Sequence, residues 1–92
     1  MTVVEIRSRR PEDGSIELIG SVSVPEAGGP AVAVGVDTKA QAYLEHLLVA
    51  GVPGADGQML SGADGERFVA ALPDALRGSR LWAIRVPRAR VP

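Results

Sequence analysis

The chain contains no cysteine, which removes disulfides, thiolate metal sites and thiol nucleophiles together. Nothing in it argues for an oxidising compartment. Aromatic residues are scarce as well: Tyr43, Phe68 and Trp82 stand alone. A core therefore has to be assembled from Val, Leu, Ile and Ala. Lysine occurs once, at Lys39, against nine arginines, a skew that fits GC-rich coding better than selection for guanidinium chemistry. No apolar run approaches the ~18 residues that a bilayer-spanning helix needs. The opening stretch from Met1 to Arg7 carries an acid at Glu5 and no apolar core of the kind a secretion signal has, so a cytoplasmic chain is expected.

What is present suffices for one small domain. Ninety-two residues at 46% hydrophobic composition can build a real core. A domain of this size buries less of its surface than a large one, which makes oligomerisation a route to further stability. The net charge of −1 conceals a skew along the chain. No acid follows Asp74, whereas Arg77, Arg80, Arg85, Arg88 and Arg90 all lie beyond Leu76.

Patterning predicts the elements. Residues 2–9 alternate, with Val4 and Ile6 on one face and Glu5 and Arg7 on the other, as a half-buried strand does. The turn signal Pro11-Glu12-Asp13-Gly14 leads to a second alternating run over 15–24, with Ile16, Leu18, Val22 and Val24 expected inward and Ser15, Glu17, Ser21 and Ser23 outward. A loop follows from Pro25 to Pro30, then a short strand carrying Val32, Val34 and Val36. Asp37 is placed to cap a helix over 38–50, whose apolar stripe is Ala40, Tyr43, Leu44, Leu47 and Leu48. Gly51 and Pro53 stop it. Residues 51–65 read as loop, and a second helix over about 62–77 buries Phe68, Val69, Leu72 and Leu76. Pro73 inside that span predicts a kink or two short helices. A last strand over 80–86 is expected to turn Trp82, Ile84 and Val86 inward. The fold class is thus α+β, in β-β-β-α-α-β order, with an antiparallel or mixed sheet and two helices packed on one face. Residues 1–86 form the single domain and 87–92 an extended Pro/Arg tail.

The motifs that suggest chemistry fall short of it. Gly54-Ala55-Asp56-Gly57 recurs as Gly62-Ala63-Asp64-Gly65, but Asp56 and Asp64 are too few oxygens for a calcium loop, and Gly and Asp are ordinary turn residues. No Gly-rich stretch leads to Gly-Lys-Ser/Thr, and the dinucleotide fingerprint is absent. His46, the sole histidine, follows Glu45 directly, and adjacent helical residues do not face each other. No serine sits in a Gly-x-Ser-x-Gly elbow. No catalytic residue, metal site, cofactor or small-molecule substrate is expected. An enzyme or metal protein using His46, Asp56 or Asp64 is the third reading.

Two features remain. Arg77, Arg80 and Arg85, joined by Arg7, Arg9 and Arg10 if the first and last strands are neighbours, suggest a phosphate-binding stripe and a nucleic-acid regulator. Against it, the domain has a pI of about 5.7 and no helix with clustered basic residues. The other feature is Leu81-Trp82-Ala83-Ile84, apolar on both faces, echoed by Ile19 on the outer face of the second strand. A strand apolar on both faces is either central or covered by a partner. The leading expectation is a non-catalytic protein-interaction module, a homodimer or an accessory subunit of a larger assembly. Its contacts would be Ile19, Leu81, Ala83, Arg88 and Arg90.

Overall fold

The computed structural model describes residues 3–10, 12–77 and 81–86, the side chains of Trp82, Arg85 and Val86 excepted. The tail at 87–92, with Arg88 and Arg90, and Arg80 lie outside the described residues. Strands β1 (Val3–Arg9), β2 (Ile16–Ser23) and β3 (Val32–Gly35) precede helix α1 (Thr38–Ala50). Short strands β4 (Val52–Pro53) and β5 (Met59–Leu60), a 3-10 turn (Gly62–Asp64), helix α2 (Glu66–Ala75) and strand β6 (Leu81–Val86) complete the order. β3, β2, β1 and β6 lie side by side in that order as one antiparallel sheet, with both helices on one face. The α+β architecture is the one that the patterning predicts. β1 and β6 are indeed neighbours, and the outer positions fall to β3 and β6. β6 is therefore an edge strand, although its doubly apolar composition suggested a central one.

Local chemistry explains where the helices begin and end. The Asp37 carboxylate accepts a hydrogen bond from the Ala40 N–H at 2.8 Å and caps α1. At the other end Gly51, with φ of +82°, donates its N–H to the Leu47 carbonyl. The stretch expected to be loop holds the small β4–β5 hairpin, closed where the Gly54 N–H donates to the Gln58 carbonyl at 2.8 Å. Ser61 and Asp64 then form a capping box over the 3-10 turn, with Asp64 accepting from the Ser61 N–H at 2.8 Å. α2 is shorter than the predicted 62–77 because Gly65 separates it from that turn. Pro73 divides nothing. α2 runs through it and ends two residues later, so the hydrogen bond that proline cannot make is lost only in the last turn.

One core lies between sheet and helices. Val4, Ile6 and Val22 from the sheet meet Leu44 of α1 and Phe68, Val69 and Leu72 of α2, all fully buried. Burying each such side chain contributes about 1.5–3 kcal/mol. Tyr43, expected on the apolar stripe of α1, sits on its flank and remains exposed.

The facings of β2 and β6 differ from those expected along the chain, and that of β3, which alternation left open, is decided as well. In β2 the pairing passes from Ile6 opposite Gly20 to Arg7 opposite Leu18, leaving Ile19 as an extra residue in a β-bulge. The bulge shifts the alternation by one. Val22 and Val24 point to the core as expected, but Ile16 and Leu18 come out on the opposite face and are exposed. In β3 the small Ala33 is buried, while Val32 and Val34 are exposed. In β6 Ala83 lies opposite Ile6 and is buried, whereas Ile84 lies opposite Glu5 and is 40% exposed, not inward.

Candidate interaction surface

Small residues beneath α1 set the character of the sheet's other side. A Cβ on Gly35 would lie 2.3 Å from the Gln41 backbone nitrogen, and one on Gly20 2.7 Å from a Leu44 methyl. The helix backbone thus rests almost on β3 at Gly35, Leu44 reaches down onto Gly20 of β2, and the sheet positions under α1 are Gly20, Ala33 and Gly35. Strand geometry then sends the larger neighbours Val32 and Val34 away from the helix layer. The bulge at Ile19 adds Ile16 and Leu18 to that same outer side, and β6 adds Ile84.

The outer face has a polar middle and an apolar margin. Ser21 and Ser23 of β2 stand opposite Val34 and Val32 of β3. Glu5 and Arg7 of β1 form an ion pair near the centre, the Arg7 Nε donating to the Glu5 carboxylate at 3.1 Å. Val34 is 59% exposed and Ile16 54%, far from the burial of core aliphatics. Val36 and Leu18 also border a cleft of ~660 Å3 that they share with Ile19, Tyr43 and Leu81 from the helix side. Among the described residues, no element packs over this face.

The outer edge of β3 is not open for strand addition. The Gly35 N–H donates to Gln41 Oε1 at 2.6 Å, and Gln41 Nε2 donates to the Ala33 carbonyl at 3.0 Å. One side-chain amide thus satisfies two backbone groups that an incoming strand would use. Glu45 steadies it by accepting from the same Nε2 at 2.9 Å. Neither Gln41 nor the bulge was anticipated from the sequence. The only local hint was Ile19, an apolar residue out of phase in an otherwise alternating strand.

The expected interface residues sit on the side of the helices. Ile19 and Leu81 pack against the core at partial burial, and Ala83 is 8% exposed, so its side chain is satisfied within one chain. Their neighbours Leu18 and Ile84 occupy the outer face instead. Of the arginines proposed for phosphate contact, Arg7, Arg10 and Arg77 each hold a carboxylate: Glu5, Glu17 and Asp74 respectively. The hydrogen bond to Glu17, then its charge, holds the Arg10 guanidinium above its ordinary value. Arg9 is exposed at the end of β1, and Arg85 falls opposite Val4 in the register of β6. β1 and β6 therefore bring Arg7, Arg9 and Arg85 onto adjoining strands, while Arg77 is at the far end of α2.

The remaining candidates serve turns and surfaces. His46 is exposed on α1. Asp56 accepts from the Gln58 N–H at 3.0 Å, and Asp64 completes the capping box. No group of three or more His, Asp or Glu residues placed to hold a metal occurs among the described residues. No helix among them is long and apolar enough to cross a membrane. No known protein family matches the chain, and no curated protein or solved structure matches it either.

Proposed function

We propose that this chain is a small non-catalytic protein-interaction module of the cytoplasm, working as a homodimer or as an accessory subunit of a larger assembly. Its working surface is the outer face of the sheet. The observation that carries this reading is the set of half-exposed aliphatics at the margin of this face, Val32 and Val34 on β3, Ile16 and Leu18 on β2 and Ile84 on β6, with no covering layer among the described residues. Exposed large aliphatics gathered on one face and rimmed by polar groups are a feature of protein contact sites. A sheet with helices on one side alone is stable when its second side is polar. Here that side retains large aliphatics, which a partner would remove from water.

Site-specific cross-linking tests the reading. A photoreactive benzophenone amino acid at position 34 in native cells is expected to give a discrete adduct. The same group at Val49, 82% exposed on α1, is expected to give none. Equal labelling from both positions would refute the assignment of the surface.

A second reading is nucleic-acid binding through Arg7 and Arg9, which fall two residues apart on β1, on the same side of the sheet as Glu5. Binding of that kind weakens steeply with salt, and a flat titration against DNA and RNA at low salt would end it.

A further inference from the structure

We infer that the partner on the outer sheet face is a second copy of this chain, docked face to face across a two-fold axis; the inference rests on the interaction-module reading above. Three observations lead there.

The first is the closed edge. With Gln41 bridging Ala33 and Gly35, β3 is barred from extending its sheet through a neighbouring β3. Strand addition at either edge would in any case leave the aliphatic side chains of the face in water; a layer packed from above, as in two sheets stacked ~10 Å apart, covers them.

The second is charge. Glu5 and Arg7 lie two residues apart on a central strand, on the same outward face, with Glu5 opposite Ser21 and Arg7 opposite Leu18. A two-fold contact is self-complementary: where one residue meets another, the reverse contact also forms. An axis crossing β1 at the level of Ile6 sets each Glu5 over the other copy's Arg7. Both ion pairs are then retained by exchange, and no like charges are brought together by this central pair. The same axis brings the valine rows of the two β3 strands to each other.

The third is area. Strands ~4.8 Å apart and about six residues long at ~3.3 Å per residue give a four-stranded face of roughly 400 Å2 in projection. Side-chain relief raises the accessible area, so two copies bury on the order of 1,000 Å2, where specific interfaces begin. The dimer is accordingly concentration-dependent and of modest affinity. It also supplies the additional burial that a small domain lacks.

Sedimentation equilibrium of the tag-free chain between about 5 and 500 µM tests this, the range bracketing a weak interface. The apparent mass is expected to rise from 9.6 kDa towards twice that value. Glu5→Arg puts four cations at the centre of the dimer and Arg7→Glu four anions, so each variant alone should self-associate about tenfold more weakly or worse. Mixed in equal amounts, the two should recover a 1:1 dimer. Val34→Glu should likewise give a monomer, and far-UV circular dichroism should be native for all three. A mass of 9.6 kDa throughout the range would overturn the second copy, while the cross-linking at position 34 would still decide the interaction reading. A dimer as strong in Val34→Glu as in the parent would place the interface elsewhere.

Discussion

Replacing Gly35 with alanine should unseat the first turn of α1. The added Cβ would lie 2.3 Å from the Gln41 nitrogen, 2.6 Å from its Cα and 2.8 Å from the Ala40 carbonyl carbon. All three are backbone atoms, so no side chain can rotate to relieve the contact. The helix must retreat by about 1 Å to reach the ~3.5 Å separation of ordinary carbon contacts. That retreat pulls Gln41 from both of its bonds to β3, at 2.6 and 3.0 Å. Overpacking costs about 1–3 kcal/mol, and each lost hydrogen bond about 1 kcal/mol. A destabilisation of about 3 kcal/mol is expected from these together. Against a total of about 5–14 kcal/mol for a chain of this length, that is a large fraction. The assay is urea denaturation followed by far-UV circular dichroism. The midpoint should fall with an unchanged slope, and the melting temperature should drop by about 12–24 °C. A variant within about 0.5 kcal/mol of the parent, the scale of an ordinary surface change, would refute the seating of α1 on β3 at this distance.

The facing of β6 and the acid response give two further tests. Ala83→Asp buries a carboxylate opposite Ile6 and should cost about 3 kcal/mol or more, whereas Ile84→Ser on the outer face should cost under about 1 kcal/mol; the reverse order in thermal melts would show that β6 is turned over. Asp13, after β1, accepts from the Ser15 N–H at 2.9 Å, and hydrogen bonding to Ser15 lowers its pKa below the ordinary aspartate value. A depressed native pKa adds stability that is fully present above the unfolded value, about 3.9, and lost as pH falls through the native one. Asp13→Asn should therefore lose less of its urea midpoint than the parent between pH 5 and pH 2, and equal losses would dismiss this contribution.

Period-two alternation at Val4 and Ile6 identified β1 and its buried face, because that side of the strand is uniformly apolar and the other carries Glu5 and Arg7. Asp37 and Gly51 marked both ends of α1, since a capping carboxylate and a left-handed glycine act within a few residues of chain. Phe68, Val69, Leu72 and Leu76 revealed the buried side of α2 for the same local reason. Facing was legible only where polarity differs between the two sides of an element. β3 and β6 carry apolar residues on both sides, and alternation then has no means of choosing between Ala33 and Val34, or between Ala83 and Ile84. Helix proximity made the choice: a helix lying on strand backbone accepts glycine and alanine and turns the larger side chains away. The bulge at Ile19 and the Gln41 bridge were equally hidden. The first depends on how β1 and β2 align, and the second joins a helix residue to a strand six and eight positions earlier. Composition, the order of the four main strands and two helices, and both ends of α1 thus came from the chain itself; the β4–β5 hairpin, the start of α2 and the outer apolar face arose only when tertiary packing decided which residues lie against which.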